Sequence, residues 1–189
     1  MINYVAYRKF ATLKNGKRVM FRFLNDQDRE ALIQLFQEAP EEDIRFLKQD
    51  VKDQKLVNAW VDNLNYRKVL PLVAVDLETN RIIADATLHR GKHAAKHIGE
   101  IRIFAGRGFR NLGLGSLMLE EILNLALQEN LMWVKAEILA DHKKVIKAFR
   151  ARGFEPKCTL DDYFVRKDGV THDVVLMMRP VVKRDDAEF

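Results

Sequence analysis

Between residues 18 and 24 apolar and polar positions alternate: Val19, Phe21 and Phe23 are interleaved with Arg18, Met20 and Arg22. A period of two marks a half-buried strand. A second strand-like stretch covers residues 4–13. The two flank Lys14-Asn15-Gly16-Lys17, where Asn-Gly predicts a type I′ hairpin with both turn residues at positive φ. The period then lengthens. Asn25 or Asp26 is placed to cap a helix that carries Ala31, Leu32, Leu35 and Phe36 on one face. Pro40-Glu41-Glu42 starts another helix, with proline suited to a first turn. Leu56, Val57, Trp60, Val61 and Leu64 form a further helical stripe that reads as core packing.

From residue 70 the period returns to two. Residues 71–76, 81–89 and 96–105 read as three strands, with Glu78-Thr79-Asn80 as the first turn. Residues 113–128 form a helix with Leu117, Met118, Ile122, Leu125 and Ala126 on one side. Residues 131–139 are a strand in which Met132, Val134, Ala136 and Ile138 face one way and Trp133, Lys135 and Glu137 the other. A short helix over 141–152 ends at Gly153, a left-handed C-cap. Residues 154–166 and 170–178 form a last hairpin around Lys167-Asp168-Gly169, and 181–189 reads as a flexible tail. The expectation is one α/β (α+β) domain over residues 1–180, with a central mixed, mostly antiparallel sheet flanked by helices and an N-terminal β-hairpin.

Composition narrows the class. The chain has 189 residues, 48% hydrophobic and 31% charged, enough apolar material for a core. No apolar run approaches the roughly 18 residues that would cross a membrane. The first ten residues lack the apolar run of a secretory signal. Cys158 is the single cysteine; it excludes an internal disulfide, argues against a cysteine-rich metal site and reads as a buried or idle thiol. The expected compartment is the reducing cytoplasm. A net charge of +5 suits phosphate-bearing partners. Nucleic acid is not expected, because the 9% of aromatic residues are not interleaved with the basic stretches.

The charge gathers beside glycine. Gly99, Gly106, Gly108, Gly113 and Gly115 fall in one short window between a strand and a helix. Arg110-Asn111-Leu112-Gly113-Leu114-Gly115-Ser116 offers consecutive amide N–H groups at a helix start, where the dipole favours phosphate oxygens. A tight strand-to-helix turn would use glycines in the same way. No Gly-Lys-Ser or Gly-Lys-Thr completes a Walker loop. A Rossmann fingerprint from Gly113 would need glycine where Met118 stands.

Arg-x-x-Gly-x-Gly at 110–115 resembles the pyrophosphate motif of the GNAT superfamily of N-acetyltransferases. Residues 138–154 resemble that family's second cofactor segment, with His142 at the usual asparagine position and Gly153-Phe154 at the usual distance. Residues 16–31 resemble its opening strand and first helix, so the likeness runs from about residue 13 to 178. Within the superfamily the chain is most similar to the acetyltransferase domains of bacterial protein-lysine acetyltransferases. These carry a glutamate ten residues before the motif's first residue, which here is Glu100.

The resemblance implies transfer of an acetyl group from acetyl-CoA to an amine, of a protein lysine or a small molecule, without a metal. Glu100 is the implied general base, with Asp85 and Glu137 as substitutes. Main-chain groups at Ile103, Phe104 and Ala105 are implied to hold the pantetheine arm and thioester carbonyl. Arg110, Asn111, Leu112, Gly113, Leu114, Gly115 and Ser116 are implied to hold the pyrophosphate. His142 either donates to the cofactor or caps its helix. Phe149 stands where many family members have a tyrosine that protonates the leaving thiolate, and reads as packing. His89, His93 and His97 read as surface residues. A non-catalytic acyl-CoA sensor or interaction module on the same fold is the alternative.

Overall fold

The computed structural model describes residues 2–166 and 168–181. An eight-stranded sheet runs through it. The strands are β1 (Lys9–Thr12), β2 (Arg18–Phe23), β3 (Val69–Asp76), β4 (Ile82–Arg90), β5 (Ile98–Ala105), β6 (Trp133–Leu139), β7 (Glu155–Val165) and β8 (Thr171–Pro180). Five helices join them: α1 (Arg29–Gln37), α2 (Glu41–Ile44), α3 (Gln54–Asp62), α4 (Leu114–Gln128) and α5 (Lys143–Arg150). The order across the sheet is β1-β2-β3-β4-β5-β6-β8-β7. Every neighbouring pair is antiparallel except β5 and β6. The sequence-predicted α+β domain is the one observed. The tail expected at 181–189 lies, beyond Val181, outside the described residues.

Each sheet face has its own apolar core. On one, Leu72, Ala86, Leu88, Ile101, Val134 and Ala136 pack with Met118 and Ile122 of α4 and Phe149 of α5. On the other, Val73, Val75, Ile82 and Phe104 pack with Leu32, Leu35 and Phe36 of α1 and Val57 and Val61 of α3. Full burial of each such leucine, isoleucine or methionine contributes about 1.5–3 kcal/mol. The alternation read from β2 and β6 therefore sorts residues between two layers of helices.

Local chemistry sets the element ends. Asn25 caps the first turn by accepting from Gln27 N–H, and Asp28 returns a bond to Asn25 N–H. Asp28 also takes a two-pronged bond from Arg22, at 2.5 and 2.7 Å, tying the helix start to β2. Two expectations fail at the N-terminus. The turn after β1 is not type I′: Gly16 alone is left-handed, at φ +84°, and its N–H bonds to Leu13 carbonyl. The first strand is also much shorter than residues 4–13. Tyr4 and Tyr7 leave the ladder to stack against Phe23 and Tyr66, and ring burial outweighs two more rungs at a sheet edge.

The parallel pair positions the site. β5 and β6 pair only at Ile98↔Trp133, Gly99↔Val134 and Glu100↔Lys135. Beyond that rung β5 runs on to Ala105 and β6 to Leu139 without further pairing. The sheet opens there into a wedge.

Candidate active site

Main-chain direction decides what lines the wedge. Gly106 N–H bonds to Ile83 carbonyl, and Gly91 N–H to Ile98 carbonyl. In an antiparallel pair alternate residues turn both main-chain groups to the same neighbour. Phe104 and Arg102 therefore spend theirs on β4, while Ile103 and Ala105 turn theirs toward β6. On the far side, Ala140 N–H bonds to Asp173 carbonyl, which assigns the even residues of β6 to β8. Glu137 and Leu139 are left facing the gap. The wedge thus presents N–H groups from both strands and the carbonyls of Ile103 and Glu137, while the carbonyls of Ala105 and Leu139 accept from Arg110 Nε and His142 N–H; this is a slot for an extended, amide-bearing ligand. Of the residues expected to supply such groups, Ile103 and Ala105 do so. Phe104 instead puts its side chain, 7% exposed, into the core.

The glycine loop sits at the open end. Gly113 is the left-handed N-cap of α4, at φ +88°, with no side-chain cap. The first α4 amides, of Leu114, Gly115 and Ser116, have no side chain satisfying them. A Cβ on Gly115 would meet nothing within 4 Å, so packing within the chain does not account for this glycine. Leu114 itself is buried; only its amide is available. Leu112 is half-buried, and its carbonyl accepts from Lys14 N–H at 3.1 Å. Asn111 takes a left-handed φ of +61° to turn the chain into the helix.

The expected charge is differently placed. Arg110 gives its Nε to Ala105 carbonyl at 3.0 Å and its Nη1 to Asp43 Oδ1 at 2.7 Å. Arg107 pairs with Glu42 and Asp43. Arg110 therefore anchors the loop to β5 and α2. Lys14 was not anticipated: from the hairpin turn its side chain runs past Gly113, 3.8 Å from where a Cβ would stand. No local pattern links residue 14 to 113; the link is β1–β2 folding back over the loop.

At the apex of the wedge is a cluster of ionised side chains. Glu100 Oε1 lies 2.7 Å from Lys48 Nζ and 2.8 Å from Arg102 Nε, and its Oε2 lies 3.4 Å from Lys135 Nζ. Lys48 Nζ is also 2.8 Å from Glu137 Oε2, and Lys135 Nζ 3.1 Å from Glu137 Oε1. Burial works against the Glu100 charge, but bonds from Lys48 and Arg102 hold its pKa down at about 2. The Lys48–Glu137 contact is an ion pair without hydrogen-bond geometry, so buried Glu137 Oε2 still lacks a directed donor.

Lys48 comes from the segment between α2 and α3, which crosses this face of the sheet. Asp43 fixes one end of the crossing to Arg110. Phe46 packs edge-on against His172 of β8, ring centroids 4.6 Å apart. The crossing therefore links the glycine loop, the glutamate pair and the last hairpin.

Asp85 is the second notable carboxylate. It lies opposite Phe104 on β4, half-buried, with no hydrogen bond or ion pair among the described residues. The protein crowds it closely enough that desolvation pushes its pKa up to about 7. His89 stands opposite Glu100 and shares a 2.9 Å contact with Thr87. Burial, aided by Arg102, lowers its pKa to about 4, so it is neutral near pH 7.

The remaining candidates separate clearly. His142 makes no side-chain cap; its exposed ring stands 3.9 Å from Asp141. Phe149 is 8% exposed and packs edge-on against Phe154. Cys158 is exposed on β7, not buried. Among the described residues no three His, Cys, Asp or Glu side chains are grouped to hold a metal ion, and no helix is long and apolar enough to cross a membrane. A separate cavity of about 700 Å³, lined by Glu120, Arg152 and Arg179, contains none of the residues above.

A model of the acetyltransferase (GNAT) domain matches residues 18–155. Among solved structures, the GNAT domain of S. lividans PAT is 21% identical, with 92% of this chain and 96% of that chain covered and a TM-score of 0.75. A ribosomal-protein-alanine N-acetyltransferase from Brucella melitensis is 22% identical over 85% of this chain and 98% of that one, TM-score 0.74. A ribosomal-protein-S5-alanine acetyltransferase from Vibrio fischeri is 14% identical over 90% and 96%, TM-score 0.78. At these identities the likeness is one of fold.

Proposed function

The chain belongs to the acetyltransferase (GNAT) family and is an acetyl-CoA-dependent N-acetyltransferase; from that premise we propose that its acceptor is a primary amine received as an ammonium on Glu100 and Glu137. The observation that carries this reading is Lys48, whose own ammonium lies 2.7 and 2.8 Å from those two carboxylates at the apex of the wedge. A lysine side chain or a small alkylamine has the charge and width to take its place. This agrees with the sequence likeness to bacterial protein-lysine acetyltransferases.

In this reading the pyrophosphate rests on the amides of Leu114, Gly115 and Ser116 with Lys14 alongside, and Arg110 holds the loop in place. The pantetheine arm lies along Ile103 and Ala105, whose main-chain groups polarise the thioester carbonyl. The acceptor nitrogen loses a proton to Glu100, directly or through water, and attacks the carbonyl carbon. With Lys48 bonded to it, Glu100 is a weak base. An acceptor ammonium that displaces Lys48 takes over the same bond, so its proton passes through Glu100 to water rather than resting on the carboxylate. Phe149 supplies no proton to the departing thiolate.

Asp85 supports a second assignment of the base. Its pKa of about 7 matches a general base working near neutrality better than that of Glu100. It lies four residues along the sheet from the Glu100 rung, roughly 13 Å away by strand rise.

The experiment is CoA release with a panel of lysine peptides and small amines. Glu100→Gln is expected to lose about 100-fold or more in kcat while binding acetyl-CoA normally by calorimetry. Normal turnover in Glu100→Gln, with Asp85→Asn inactive, moves the base to Asp85.

A further inference from the structure

We propose that Lys48 is itself an acetyl acceptor: with acetyl-CoA in the wedge, the acetyl group passes to Lys48 Nζ of the same chain, and the amide formed releases the Lys48 side chain from the acceptor site. The proposal rests on the reading of the wedge given above. It adds a modification site and a self-limiting contact that the transfer reaction alone does not require.

Three features of the cluster carry it. The Lys48 ammonium already occupies the glutamate pair where an external amine would have to sit. It arrives on a tether, anchored at Asp43 by Arg110 and at Phe46 by His172, so its local concentration at the apex far exceeds that of a free amine. Its contact with Glu137 lacks hydrogen-bond geometry, which leaves Nζ less firmly oriented there than at Glu100. Lys135 touches the same carboxylates but springs from β6 itself, from the rung where the strands still pair. Lys48 is the lysine that approaches from outside the sheet, as an acceptor must.

The step balances without any further reagent. The Nζ ammonium gives one proton to Glu100 or water, and its lone pair forms a bond to the thioester carbonyl carbon. The C–S bond breaks with its electron pair going to sulfur, and the second proton leaving nitrogen neutralises the CoA thiolate. The products are an Nε-acetyl-lysine at position 48 and CoA. The neutral amide can no longer compensate two carboxylates, so Glu100 and Glu137 keep Arg102 and Lys135 and become available to an external ammonium.

The test incubates the full chain with acetyl-CoA alone and maps acetyl-lysine by peptide mass spectrometry, with calorimetry and amine-panel turnover on the same preparation. The expected result is acetylation concentrated at Lys48, at a first-order rate that does not change with protein concentration. Lys48→Arg should abolish it and still bind acetyl-CoA. Acetyl-CoA binding and turnover with Lys48 unmodified would overturn the proposal and leave the proposed function standing. Modification spread evenly over exposed lysines, or dependent on protein concentration, also overturns it. Absence of acetyl-CoA binding removes the proposed function and this inference together.

Discussion

Glu100 faces Lys135 across the last rung at which β5 and β6 pair, and their side chains meet at 3.4 Å. One position therefore ends the ladder and starts the charged cluster. Past it the main chains part and leave Ile103, Ala105, Glu137 and Leu139 with groups to offer a ligand. The carboxylates stand on the same face as the α2–α3 crossing. The proposed binding slot and acceptor site share this apex, so a substitution at the rim can be assigned to one or the other.

Gly113 and Gly115 should separate stability from binding. Gly113 is at φ +88°, so Gly113→Ala is expected to cost about 1–2 kcal/mol in denaturant unfolding. Gly115 has a helical neighbourhood with open space above it. Gly115→Val is expected to leave the melting temperature unchanged or raised and to weaken acetyl-CoA about tenfold or more by calorimetry, through loss of close phosphate approach.

Lys14 is the charge that the loop's own sequence does not contain. Lys14→Glu is expected to weaken acetyl-CoA by several-fold at low salt, with the difference shrinking as ionic strength rises. A salt titration of the dissociation constant checks this. A dephospho-analogue shows whether it serves the ribose phosphate or the pyrophosphate.

Asp85 makes stability fall with pH over a defined range. Its folded pKa of about 7 exceeds the ordinary 3.8, so the native state binds more protons than the unfolded state between those values. Stability from this group is therefore lost as pH rises through that range. Asp85→Asn is expected to be more stable than the parent at pH 8 by on the order of 1–2 kcal/mol, with the gain absent at pH 4. Urea midpoints at the two pH values measure it.

Glu100 has the opposite sign. Its pKa is depressed from 4.5 to about 2, so its contribution is present above pH 4.5 and disappears as pH falls toward 2. Lys48→Ala removes one cause of the depression, and an acid titration of Glu100 followed by carboxyl NMR should show its midpoint moving upward.

Much of this architecture was legible because its determinants are local. The alternation of Val19, Phe21 and Phe23, the Asn25 cap and the left-handed Gly153 are each set within a few residues. The glycine loop could be read as an anion site for the same reason. The charged cluster could not. Lys48, Glu100 and Lys135 come from a crossing segment and two parallel strands, and it takes both the β5–β6 register and the path of that crossing to bring them together. Lys14 reaches the loop by a hairpin folding back. The length of β1 depended on whether Tyr4 and Tyr7 would find aromatic partners at Phe23 and Tyr66, which the period of the chain does not encode. The burial that sets Asp85 apart from other carboxylates is likewise a property of the packed sheet.

Hydrogen–deuterium exchange with and without acetyl-CoA tests the central claim most directly, because the claim names individual amides. Protection is expected at Ile103 and Ala105 on β5, at Leu114, Gly115 and Ser116 at the start of α4, and at Glu137 and Leu139 on β6, with Phe104 unchanged by virtue of its bond to β4. Protection elsewhere with these amides unaffected, or no protection at saturating acetyl-CoA, would contradict the assignment of the wedge as the site of acetyl transfer.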